Sequence, residues 1–143
     1  MLSKLNRWLA FVIGDLLVWV VLLIVGGKLI AVANCDGIRV RVYLVHHLFQ
    51  KIRVGTTLGR NILVVDLHNQ RENLCNVAHE LVHVRQIAND GVWFYIRYLI
   101  GSLFTEWSKR PYEREAIEAY RTCWRTGHLG CANLRRALGD FVG

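Results

Sequence analysis

From Trp8 to Gly27 the chain reads WLAFVIGDLLVWVVLLIVGG, twenty residues carrying one charge, Asp15. A helix of that length matches the hydrocarbon thickness of a bilayer. Lys4 and Arg7 precede it, Lys28 follows it, and Trp8 and Trp19 are suited to the membrane interface. The run therefore predicts a transmembrane or signal-anchor helix and membrane association through residues 8–27. Two other readings stand beside it. Ala31-Val32-Ala33 has the small-residue spacing of a signal cleavage site, which would release a secreted chain beginning at Asn34. Alternatively the helix is buried in the protein or covered by a partner in a larger assembly. Asp15 and the Gly26-Gly27 pair favour that option, since a carboxylate inside a bilayer is costly. Basic residues on both sides of the run leave its orientation open.

The 143 residues suffice for one domain. The expected division is an apolar segment over 1–33, a candidate membrane anchor, and a folded domain over 34–143. A formal charge of +7 is spread along the chain without forming a tract. It suits attraction to anionic lipid. No nucleic-acid-binding motif accompanies it, so no specific nucleic acid partner is expected. Four cysteines, Cys35, Cys75, Cys123 and Cys131, form no CxxC pair and fix no redox compartment. A Cys123–Cys131 pairing is conceivable, but free, partly buried thiols are the expectation.

Beyond the leader, IRVRVYLV (38–45) alternates and is rich in β-branched residues, so it reads as a strand. VGTTLGRNILVVDL (54–67) reads as a turn followed by a second strand, completing a short β-hairpin. Helical periodicity begins near Asn69 and predicts a helix over 71–89 that stops near Asp90-Gly91. A strongly apolar helix is expected over 92–107. Pro111 suits the first turn of another helix, through YEREAIEAYRTCW. A short helix is expected around 131–138. The class is α+β: an apolar N-terminal helix, a hairpin, then three helices forming a compact core.

Within the 71–89 helix stands HELVH. Residues i and i+4 share a helix face, so His79 and His83 present two imidazoles to one ion. Glu80 is turned about 100° from His79, beside an ion instead of on it, where it can take a proton from water. Leu74, Val77, Leu81 and Val84 cover the opposite side, which predicts burial. Catalytic zinc needs a third protein ligand and an open position. Of Glu113, Glu115 and Glu118 on the following helix, Glu113 lies within about 50° of the centre of the apolar face. The other two fall on a solvated face with Arg114 and Arg121. Glu113 is thus the expected third ligand. An alternative set, Cys75 with His79 and His83, would hold a purely structural zinc. His128 with Cys123 and Cys131 matches no reliable finger spacing, and His46-His47 sits at a strand end. Gln86, one turn beyond His83, is placed to orient a ligand.

HELVHVRQ followed by PYEREA resembles the minimal gluzincin zinc metallopeptidases, compact HExxH domains with a downstream glutamate ligand in an E-x-x-A pattern. TTLGRNILV is similar to the strand preceding the metal helix in small bacterial and phage-type members. The resemblance covers about Gly55 to Tyr120. It implies a zincin-like core, a Zn2+ cofactor held by His79, His83 and Glu113, Glu80 as catalytic base, and a peptide or protein substrate. One departure is Ile117, where membrane-bound gluzincins of the CAAX-protease type usually carry an aspartate that supports the ligands. An oxyanion would need a donor besides the metal, and Tyr95, Tyr98, Tyr112 and Tyr120 are candidates by chemistry alone. The rival expectation is a catalytically silent zinc-binding structural or assembly protein, which would have no use for Glu80.

Overall fold

A computed structural model describes residues 2–46, 55–106 and 109–143. The alternation of IRVRVYL is carried into a strand, Ile38–Leu44, and NILV into another, Asn61–Val64. In chain order α1 (Leu2–Val25) is followed by β1 (Lys28–Cys35), β2 (Ile38–Leu44), β3 (Gly55–Leu58) and β4 (Asn61–Val64). Then come α2 (Gln70–Asp90), α3 (Val92–Phe104), α4 (Pro111–Thr126), α5 (Ala132–Leu138) and a 3-10 turn over Gly139–Phe141. The class is α+β as expected, with the four strands ordered β1-β2-β4-β3.

The expected hairpin between 38–45 and 54–67 does not form. β2 and β4 are parallel neighbours, Arg41 opposite Asn61 through Leu44 opposite Val64. Each has its own antiparallel partner: β1 for β2, and β3 for β4. The first of these hairpins turns at Asp36-Gly37, both at positive φ (53° and 79°), as the tight turns that match strand twist require. Ala31, Val32 and Ala33, the small-residue triplet, lie within β1 and pair with Val42, Arg41 and Val40. Of the two adjacent histidines, His46 is exposed just past β2 and His47 lies outside the described residues.

Because strand side chains alternate between faces, the sheet is covered on both sides. Val40, Val42, Ile62 and Val64 turn to one side and meet Leu74, Val77, Leu81 and Val84 of α2, with Cys123, Leu134 and Leu138 closing the same core. Tyr43 and Leu63 turn to the other side, against Val18, Val21 and Leu22 of α1. β4 is thus buried along its whole length, which explains its unbroken apolar run after Asn61.

Ser3–Val25 is long and apolar enough to cross a membrane. One face of α1 is nevertheless fastened to the rest of the chain. Gly14 meets the β3–β4 turn so closely that a Cβ there would lie 2.5 Å from Gly59 Cα. Asp15 accepts hydrogen bonds from Arg60 Nη2 (2.7 Å) and Asn61 Nδ2 (2.8 Å), and Arg41 Nη1 lies at 3.4 Å. Asn6 Oδ1 accepts the Val92 N–H at the start of α3 (3.0 Å), and its Nδ2 donates to the Asp90 carbonyl (3.0 Å). Arg7 Nε donates to the Ala88 carbonyl at 2.7 Å. The carboxylate that looked costly in the sequence is a partnered one.

The expectation of free thiols is overturned: all four cysteines are paired, Cys35 with Cys131 and Cys75 with Cys123. Neither pair is close in sequence, with separations of 96 and 48 residues. The second bridge exists because α2 and α4 pack along each other, bringing the Cα atoms of Cys75 and Cys123 to 5.3 Å. Cys75 is therefore not available as a ligand beside His79 and His83. For the same reason Cys123 and Cys131 form no cluster with His128.

Candidate metal centre

α2 starts where Asn69 Oδ1 accepts the Glu72 N–H (3.1 Å), satisfying one of the free donors of its first turn. It ends where the Gly91 N–H bonds back to the Ile87 carbonyl at 2.7 Å. Its apolar positions are pinned to the sheet, so the opposite side, with His79 and His83, faces α4. Pro111 opens α4, and the burial of Ala116 and Cys123 turns Glu113 inward with them. Glu113 is 1% exposed, whereas Glu115 and Glu118 are exposed.

Three donors therefore converge. His79 Nε2 lies 3.2 Å from Glu113 Oε2, and His83 Nε2 lies 3.5 Å from Glu113 Oε1. All three residues offer ligand atoms within 4.8 Å of one another. At zinc bond lengths of about 2.0–2.2 Å, two tetrahedral ligands stand about 3.4 Å apart. The two histidine–carboxylate separations bracket that value. Glu113 Oε2 is fully buried with no neighbour to bond among the described residues but His79 Nε2, and a cation would satisfy it. The donor set, two imidazoles and a carboxylate, is one that zinc accepts.

The neighbouring amide fixes which nitrogen of His83 faces inward. Gln86 Nε2 donates to the Tyr112 carbonyl (3.1 Å) and to Glu115 Oε2 (2.8 Å), so its Oε1 points the other way. That oxygen lies 2.8 Å from His83 Nδ1 and can only accept, so Nδ1 carries the proton. In the neutral imidazole Nε2 then keeps the lone pair, the tautomer a metal requires. Glu115, read from the sequence as a solvated residue, thus holds the amide that orients His83. Only knowledge of the α2–α4 packing would have revealed it.

Burial pushes the Glu113 carboxyl upward, but hydrogen bonding with His79, His83 and Tyr98 holds it well below the usual carboxylate range. For His83, burial opposes protonation, and the hydrogen bond to Glu113 with the charges of Glu80 and Glu113 outweighs it, raising the pKa above its ordinary value. The Tyr98 hydroxyl donates to Glu113 Oε1, so among the four candidate tyrosines Tyr98 contacts the group. Tyr95 instead donates to the Ala10 carbonyl (3.1 Å), Tyr112 to Asp90, and Tyr120 stacks on Trp124.

Glu80 is 5% exposed and turns toward β3. Thr57 Oγ1 donates to its Oε2 at 2.7 Å. Gly55 leaves it room: a Cβ at that position would come within 3.1 Å of Oε1. Both contacts come from the GTTL segment, which reads in the sequence as a turn. Ile117 lies among Pro111, Arg114, Glu118 and Arg121 along a depression on the outer side of α4.

No protein-family model, curated protein or solved structure matches this chain.

Proposed function

We propose that the chain is a zinc-dependent, metallopeptidase-like protein with a zincin-like core, associated with a membrane through residues 8–27. The observation that carries this reading is the convergence of His79 Nε2, His83 Nε2 and the buried, incompletely partnered carboxylate of Glu113 from two helices joined by a disulfide. These three residues would hold a zinc ion, which would supply a Lewis acid and lower the pKa of a bound water to about 7. Glu80, one position after His79, accepts the proton of the attacking water and delivers it to the leaving amine. Thr57 aims its carboxylate. Gln86 keeps His83 in the ligating tautomer, and Glu115 keeps Gln86 in place, a support that Ile117 cannot give. Tyr98 spends its one hydroxyl proton on Glu113 and so holds that carboxylate in place.

A silent zinc-holding protein is favoured by one observation, the deep burial of Glu80 and Glu113. Two variants separate the readings. Zinc measured by mass spectrometry should be one per chain and be lost in Glu113→Ala. Glu80→Gln should retain zinc and lose hydrolysis of an unstructured protein substrate such as casein. A chain that binds zinc but never hydrolyses, with Glu80→Gln indistinguishable from it, would establish the silent protein. No zinc after reconstitution would remove both.

A further inference from the structure

The outward residues of α1 between Trp8 and Ile24 are Trp8, Leu9, Ile13, Leu16, Leu17, Trp19, Val20, Leu23 and Ile24. Apart from two indole N–H groups they offer no hydrogen bond. α3 carries a matching stripe at helical spacing: Trp93, Ile96, Leu99, Ile100, Leu103 and Phe104 are all exposed. Their inward counterparts are committed elsewhere, Phe94 to Ala10 and Ile87, and Tyr98 to Glu113. The two helices touch, through Asn6 on Val92 and Ala10 on Tyr95, and each leaves its apolar stripe exposed.

We propose that α1 and α3 together form one lipid-binding face, and that the protein lies on a bilayer with α1 in the plane of one leaflet instead of across it. This rests on the reading that α1 binds lipid and is independent of the peptidase reading. Hydrocarbon fits the face better than a second protein does. A protein interface carries about one hydrogen bond per 100–200 Å², and this one has almost nothing to bond with. The charges at its margin complement anionic headgroups: Lys4 and Lys28 flank α1, and exposed Arg97 can extend from the α3 stripe to the interface.

The orientation follows from what α1 is fastened to. Asp15, midway along the helix, is held by Arg60, Arg41 and Asn61. A spanning α1 would carry those partly exposed guanidinium groups and the β3–β4 turn to the middle of the bilayer, where cations and open backbone are penalised. An in-plane α1 puts only its apolar side into the acyl boundary, about 5–10 Å deep, and leaves the sheet behind it. Trp8 and Trp19, eleven positions apart, stand on the same side of the helix, separated by about 16 Å along its axis. Lying flat, the two indoles share one depth; spanning, they differ by most of that length.

The test uses the full chain reconstituted into vesicles of phosphatidylcholine and phosphatidylglycerol. Single-tryptophan variants retain Trp8, Trp19, Trp93 or Trp124, the other tryptophans being changed to Phe, and circular dichroism checks their fold. Lipids brominated high or low on the acyl chain report depth. Expected are equal depths for Trp8 and Trp19 and a loss of about half the emission or more for Trp93 in the same shallow layer. Trp124, exposed on α4, should be unquenched. As a second measurement, the Leu99→Ser, Leu103→Ser, Phe104→Ser triple variant should leave Trp8 and Trp19 quenched and Trp93 markedly less so. Unequal depths for Trp8 and Trp19 would overturn the in-plane arrangement. Quenching of both with none of Trp93 would leave α1 as the whole anchor and overturn the shared face. No quenching anywhere, with a dimer by sedimentation, would replace lipid by a second copy and remove the membrane reading as well.

Discussion

Replacing Gln86 by leucine tests the proposed metal centre at a residue outside the three candidate ligands. The side-chain volume is nearly kept, while the acceptor for His83 Nδ1 (2.8 Å) disappears. The imidazole is then free to move its proton to Nε2, the nitrogen that must ligate, and to rotate against Phe94 and Tyr98, whose rings lie 6.0 Å away. Removing the partner that orients a ligating histidine typically weakens metal binding about 10- to 100-fold, equivalent to about 1.4–2.8 kcal/mol. The upper half of that range is expected, because Gln86 is itself buried and anchored at both amide hydrogens. The assay is competitive zinc titration against a chromophoric chelator, with a thermal melt of the zinc-free chain alongside. That melt should fall by an amount corresponding to about 1–3 kcal/mol for the unpartnered Nδ1. Equal zinc affinities for the variant and the parent, with Glu113→Ala still abolishing binding, would refute the tautomer argument and reduce Gln86 to a packing residue.

Further outcomes follow from the same geometry. Reducing the disulfides should lower the melting temperature sharply, since closing loops of 48 and 96 residues is worth about 4–5 kcal/mol each in the chain-entropy description. Scanning calorimetry with and without reductant checks it, and Cys75→Ser with Cys123→Ser should weaken zinc binding more than the Cys35–Cys131 equivalent. Gly14→Val should destabilise by about 1–3 kcal/mol through overpacking against the β3–β4 turn, read by urea denaturation in detergent. Arg60→Ala should cost about 1 kcal/mol or less, because the ion pair with Asp15 is still partly solvated. Gly55→Ala should retain zinc and impair hydrolysis, its new Cβ pressing on Glu80, as paired metal and casein assays would show.

Much of the site could be read from the letters because helical spacing is rigid. His79 and His83 share a face by geometry, and the apolar companions of Glu113 told which way it turned. What escaped was whatever depends on one element meeting another. β1 has no clean alternation: small Ala31 and Ala33 suffice to fill the space under it, so KLIAVANC gave no strand signal. β3 is only four residues long, and its role as the support for Glu80 lies in its pairing with β4. Parallel pairing of β2 with β4 leaves no local mark, unlike a hairpin. The disulfides required knowledge of which helices lie side by side. Asp15 looked like an unsupported charge because its partners lie 26, 45 and 46 residues away.

The attachment of α1 also sets a limit on laboratory handling. The habitual way to make such a protein water-soluble is to delete the apolar leader, here residues 1–27. Deletion would strip the cover from Leu63 and Val45 on one side of β4, and from Ile87 and Phe94 at the far end of α2. It would also take away the Asn6 cap of α3, the helix whose Tyr98 reaches Glu113. A trimmed chain would exchange one greasy surface for another and loosen the His79–His83–Glu113 group besides. Solubility is better sought by polar substitution of outward positions such as Leu16 and Leu23, with the helix left in place.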